Sequence, residues 1–100
     1  MIAQMLQDIK KEIIAVINKY PVNKVAIFGS YANGTNKNNS DIDILVNFKT
    51  PIGMFKFLEL KDNLETALNR KVDLLTYKSL ESSLIKEEVL KGAIEIYAEG

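Results

Sequence analysis

Lys24-Val25-Ala26-Ile27-Phe28-Gly29-Ser30, followed after ten residues by Asp41-Ile42-Asp43-Ile44-Leu45-Val46, is the part of this sequence that decides its fold. Residues 24–29 are a nearly continuous apolar run closed by glycine, the pattern of a short buried strand. Residues 41–48 alternate: Asp41, Asp43 and Leu45 point one way, and Ile42, Ile44, Val46 and Phe48 the other. Between them, residues 31–40 are rich in turn formers. One helical turn is expected at 31–33, stopped by Gly34, with loop beyond it.

Upstream, Ile2, Met5, Leu6, Ile9, Ile13, Val16, Ile17 and Tyr20 recur at three- and four-residue steps, while Gln4, Asp8, Lys11, Glu12 and Lys19 take the other side. This spacing predicts an amphipathic helix over 2–20, ended by Pro21. Downstream, Thr50-Pro51 has the form of an N-cap with proline at the first helical position. It opens a helix to about residue 69, with Met54, Phe57, Leu60, Leu64, Ala67 and Leu68 inward. Residues 71–76 form a third strand. Ser79 is placed to cap a last helix to about residue 91, and 93–97 alternates as a short strand or extended tail. The order predicts an α/β, or α+β two-layer, fold: a small mixed β-sheet flanked by helices, as one domain over residues 1–100.

Composition narrows the chemistry. Of 100 residues, 13 are basic and 13 acidic, so no global field draws the chain onto polyanions, and no direct nucleic-acid partner is expected. With no cysteine there is no thiolate nucleophile or disulfide; with no histidine there is no Ser-His-Asp triad, HExxH zinc site or imidazole base. Any metal must be held by oxygen, which points to magnesium or manganese. No apolar stretch approaches the ~20 residues that span a bilayer, and Gln4, Gln7, Asp8 and Lys10 interrupt the first segment. A soluble, cytoplasmic protein without membrane contact is expected.

Three features carry the chemistry. Gly29-Ser30 ends a strand, where glycine admits a phosphate close to the backbone and serine adds a hydroxyl and an N–H; taken alone, such a pair is far more often a plain turn. The strand period puts Asp41 and Asp43 on one face, with Cα atoms roughly 6–7 Å apart. Two such charges repel and are costly to desolvate without a cation between them. An isolated Asp-x-Asp belongs on a solvated edge strand, but these two sit inside an Ile/Leu/Val run, where aspartate is depleted. Asp73 repeats the anomaly in Val72-Asp73-Leu74-Leu75. If 71–76 pairs beside 41–48, three carboxylates share a face and a two-metal site becomes possible; otherwise Asp73 is a solvated strand-end residue. Lys10-Lys11, Lys37 and Arg70-Lys71 are read as solvated charges, and Tyr31 as either a base-stacking ring or a cover for the loop. Met54, Phe55 and Ile85 are left for an interface or for the core.

Together, Ala-Ile-Phe-Gly29-Ser30-Tyr-Ala-Asn-Gly, then Asn-Ser-Asp41-Ile-Asp43-Ile-Leu-Val, then Asp73, resembles the DNA polymerase beta-like nucleotidyltransferase superfamily, and in its short length the minimal nucleotidyltransferase (MNT) group. The resemblance implies a mixed sheet with flanking helices, and transfer of a nucleoside monophosphate from an NTP, usually ATP, to a hydroxyl with release of pyrophosphate. By it, Gly29 and Ser30 hold the nucleotide, and Asp41, Asp43 and Asp73 are catalytic residues and ligands of two Mg2+ ions, with Mn2+ the alternative. It also implies a partner: many MNT proteins are antitoxins of small helical HEPN ribonucleases, neutralising them by adding AMP to a tyrosine or by binding. One departure is Asn33, where the group often has a basic residue; Lys37 is the available substitute. No acceptor domain is evident. Three functions compete: a protein AMP-transferase acting as antitoxin, a binding antitoxin with a dormant site, and a small-molecule nucleotidyltransferase.

Overall fold

A computed structural model of the chain describes residues 2–35 and 41–99. Four strands form one sheet in the order β3-β2-β1-β4. The elements run α1 (Ile2–Ile17), β1 (Val22–Phe28), α2 (Ser30–Asn33), β2 (Ile42–Phe48), α3 (Met54–Leu68), β3 (Val72–Thr76), α4 (Tyr77–Leu80), α5 (Lys86–Gly92) and β4 (Ile94–Ala98). β1 is antiparallel to both β2 and β4, whereas β2 and β3 are parallel, joined through the crossover helix α3. The sheet is therefore mixed, as the element order implied. No helix among the described residues is long and apolar enough to cross a membrane.

The alternation of β2 sorts the two faces. Ile42, Ile44 and Val46 pack with Ile9, Ile13 and Ile17 of α1 and with Leu60 and Leu64 of α3 in the main core. Leu45 points the other way and joins Ala26 and Leu80 in a smaller cluster, flanked by Phe28, Leu75 and Val89. Thus α1 and α3 form a full layer on one face, and α4 and α5 cover part of the other. Asp43 lies two residues from Leu45 and shares its face, so its side chain emerges on the thinly covered side, where a ligand can reach it.

Several boundaries differ from the sequence expectation. α1 stops at Ile17 instead of residue 20: Pro21 has no N–H to give the Ile17 carbonyl and its ring would clash with it, so the chain leaves through a tight turn in which Tyr20 N–H donates to Ile17 O (2.9 Å). This frees Tyr20 to reach α3, where its hydroxyl donates to Glu59 Oε2 (2.8 Å) and accepts from Asn63 Nδ2 (2.7 Å). Thr50-Pro51 does not open α3. The N-cap is Gly53, extended at φ −73°, ψ 170°, and its carbonyl accepts from Phe57 N–H. A start at Pro51 would place Gly53 inside the helix at a cost of about 0.5–1 kcal/mol. Met54, assigned to the inner face, is instead 69% exposed, as are Phe55 at 91% and Ile85 at 50%. The last helix is two pieces: Thr76, not Ser79, caps α4, its Oγ1 accepting from Ser79 N–H (3.0 Å), and α5 begins only at Lys86.

Candidate active site

Gly29 follows the last residue of β1 with φ 73° and ψ −148°, a backbone region open almost only to glycine. Its carbonyl accepts from the N–H groups of Ala32 and Asn33, both at 3.1 Å, which winds the short α2 directly off the strand. Gly34 closes α2 in the left-handed region (φ 79°) with its N–H on Ser30 O. Glycine at 29 meets a second requirement. A Cβ there would collide with Asp43 Oδ2 and lie 3.1 Å from Asp43 Cγ. The turn and the carboxylate can occupy this place together only because residue 29 has no side chain.

Asp43 stands opposite Phe28 across the β1–β2 ladder and opposite Asp73 across the parallel β2–β3 ladder. Strand 71–76 does pair beside strand 41–48, the condition on which Asp73 could join the aspartates, and it brings Asp73 level with Asp43. Asp43 is half-buried, while Asp41, just before β2, and Asp73 are exposed. Burial, a hydrogen bond shared with the Asp73 carboxyl, and the negative charges of Asp73 and Asp41 push Asp43 from 3.8 up to about 6. An acid pair in this state has more negative charge than its surroundings balance, which is the electrostatic condition for holding a hard cation. The donors are carboxylate oxygens, which suit Mg2+ or Mn2+. Among the described residues no three such side chains close around a single point: Asp43 and Asp73 are in contact, and Asp41 stands further out. Lys37 and the rest of segment 36–40 lie outside the described residues.

Beside Gly29 a cleft of about 250 Å3 is bounded by Asn33 and by Ile85, Glu88, Val89 and Gly92 of the α5 region. This wall had no signature in the sequence, since nothing local links residues 85–92 to the glycine turn. Asn33 takes a structural part: its Oδ1 accepts from Thr35 N–H (3.1 Å) and Oγ1 (2.6 Å). Tyr31 neither covers the loop from outside nor offers a face to a base; it is 0% exposed within the main core. Arg70, expected to be a solvated charge, places its guanidinium 5.6 Å from the centre of the Tyr31 ring.

A family model described as polymerase beta, nucleotidyltransferase matches residues 11–99. A candidate protein adenylyltransferase of Methanocaldococcus jannaschii is 40% identical over 91 residues, covering 91% of this chain and 97% of that one. The protein adenylyltransferase MntA of Thermococcus cleftensis is 41% identical over 68 residues, covering 68% of this chain and 69% of its own. Among solved structures, the crystal structure of a toxin–antitoxin with AMP-PNP superposes with a TM-score of 0.74 at 28% identity, over 89% of this chain and 73% of that one.

Proposed function

Because the chain belongs to the polymerase beta nucleotidyltransferase family, we propose that it moves AMP from ATP to a protein hydroxyl, a tyrosine of a HEPN-type helical ribonuclease, and so serves as the antitoxin of a cytoplasmic toxin–antitoxin pair. Residues 1–100 act as one minimal nucleotidyltransferase domain. One observation carries the reading: a side-chain-free turn is packed against the Asp43 carboxylate, which burial and the neighbouring Asp73 and Asp41 carboxylates push up to about 6. That arrangement is costly for a purely structural corner, and it suits a site that receives phosphates and cations. The protein adenylyltransferases to which the chain is similar, and the AMP-PNP of the similar toxin–antitoxin structure, give the nucleotide and the acceptor class.

In this reading Gly29 lets triphosphate oxygens approach the backbone, and the Ser30 hydroxyl and N–H hold the β- and γ-phosphates. Asp41, Asp43 and Asp73 would hold two divalent cations, Mg2+ or Mn2+, which when bound neutralise the triphosphate and lower the pKa of the attacking hydroxyl. The acceptor oxygen forms a bond to the α-phosphorus as the bond to the bridging α–β oxygen breaks, and pyrophosphate leaves. Asp73, exposed on the edge strand, takes the hydroxyl proton; without histidine, carboxylates are the bases at hand. Alignment and charge neutralisation supply most of the rate.

The test is label transfer in a lysate of the source cell with α-labelled and γ-labelled ATP in parallel, and a folded Asp41→Asn/Asp43→Asn protein as control. Transfer of the α-label alone to a protein band, lost in the variant, supports the reading; transfer that survives in the variant sinks it. A second reading, neutralisation by binding with a dormant site, is favoured by the turn itself. Residues 29–35 contain no cationic side chain, and Asn33 Oδ1 is committed to Thr35. Its mark is protection from the partner by the double variant with no label moved.

A further inference from the structure

We infer that Arg70 is a positioning residue for the nucleotide turn, holding Ser30 in place through the ring of Tyr31. The inference rests on the reading of Gly29-Ser30 as the turn that grips the triphosphate. α2 has only four residues, too few for a helix to persist on its own hydrogen bonds. Something outside it must fix its orientation. Tyr31 is its only buried residue; it follows Ser30 directly and is enclosed by the α1–α3 side of the core. A buried ring sets where Ser30 lies, provided that the ring is held in turn.

Arg70 supplies that hold. It follows Asn69, whose left-handed backbone (φ 52°, ψ 42°) ends α3 with its N–H on Glu65 O. The Arg70 N–H donates to the same carbonyl (3.3 Å). This turn swings the Arg70 side chain back over Tyr31, with the guanidinium 5.6 Å from the ring centre, within the range of a cation–π contact. Arg70 also lines a groove of about 470 Å3 with Met5, Asp8 and Glu12 of α1, so its charge lies near two carboxylates on that side. The chain then enters β3, where Glu65 Oε2 accepts from Val72 N–H (2.9 Å) and the next residue is Asp73. One side chain thus joins the turn assigned to the triphosphate to the segment that delivers Asp73. It stands on the α1–α3 side of the sheet, whereas Asp43 opens on the other. Arg70 therefore acts through Tyr31 and does not itself touch the nucleotide.

The experiment is calorimetric titration of ATP with Mg2+ into the parent protein, Arg70→Met and Arg70→Lys, at a temperature where each is fully folded. It is paired with amide resonances of Gly29 and Ser30 recorded without nucleotide. Arg70→Met is expected to weaken ATP binding by about five- to tenfold and to shift both resonances, with Arg70→Lys intermediate. A purely structural role lowers the melting temperature and leaves the affinity of the folded protein alone. Affinity within about twofold of the parent (about 0.4 kcal/mol) together with unmoved resonances overturns the inference. If Arg70→Met does not fold, Arg70→Lys is judged by the same two readouts. A parent protein that binds no ATP overturns the nucleotide reading of the turn, and this inference falls with it. A parent that binds while the variants match it overturns this inference alone.

Discussion

The carboxylate of Asp43 lies where a side chain on residue 29 would have to be. Steric exclusion and a backbone angle closed to other residues both demand glycine there, so the glycine turn and the Asp43 carboxylate are fixed against each other.

Gly29→Ala therefore meets two penalties at once. Backbone strain alone is on the order of 1–3 kcal/mol, and relief of the clash must displace Asp43. A fall in melting temperature is expected, with transfer reduced by roughly a hundredfold or more, the usual cost of misplacing a reacting group by an ångström. Gly34→Asn is the control. Its left-handed position (φ 79°, ψ 13°) is one that asparagine tolerates, and both stability and transfer should stay near the parent values.

The acid pair makes stability depend on pH in a defined direction. Asp43 is raised from 3.8 to about 6, first by burial and then by Asp73 and Asp41. A carboxyl with a raised folded pKa stabilises the fold below the unfolded value of about 4, and that contribution is lost as pH rises through about 6. Discounted for solvent exposure, the loss is on the order of 1 kcal/mol. Melting curves of the parent and Asp43→Asn between about pH 4 and pH 7 should diverge in favour of the variant as pH rises. Millimolar Mg2+ should close the gap and EDTA reopen it. Parallel curves would contradict the pairing of Asp43 with Asp73.

Asp73→Asn separates nucleotide binding from chemistry. Asp73 is exposed on the edge strand, level with Asp43. On the proposed role as proton acceptor, its loss should cut kcat by about 10²–10⁴-fold with little change in KM for ATP. An equal rise in KM instead would place Asp73 among the groups that hold the nucleotide.

Tyr20→Phe should do the reverse. The hydroxyl links the end of α1 to Glu59 and Asn63 of α3, far along the fold from the carboxylates. Thermal unfolding should show a loss of about 1 kcal/mol, while ATP affinity and transfer rate remain those of the parent. A change in transfer rate would show that the α1–α3 layer communicates with the site.

Much of this was legible in the chain. The strand at 24–29 is marked by an apolar run and that at 41–48 by alternation; 71–76 reads as a strand, and 93–97 alternates as a short strand or an extended tail. The inward spacing of Ile9, Ile13 and Ile17 marks the buried face of α1, though the helix ends at Ile17 and not at residue 20. Asp43 and Asp73 stood out because carboxylates inside apolar strands need a reason. What escaped notice depends on tertiary neighbours. Thr50-Pro51 carries sound capping chemistry, yet Gly53 three residues on shifts the helix start. Arg70 looked solvated because Tyr31, its partner, lies far away in sequence. The α5 wall of the cleft exists only once β4 has folded back beside β1, and nothing short-range announces that pairing.

That pairing bears on how the molecule is made. β1, the strand that leads into the glycine turn, borders β2 and β4, and β4 is contributed by residues 94–98. At a synthesis rate of about 5–20 residues per second, β1 emerges from the ribosome roughly 4–14 s before β4. Throughout that interval its second edge, Lys24 to Ile27, has no partner from this sheet, and an apolar strand with an open edge can recruit another chain. The nascent protein therefore passes through a window in which chaperone capture or mispairing competes with maturation. Truncation ahead of residue 94 should raise the fraction of product that sediments as aggregate.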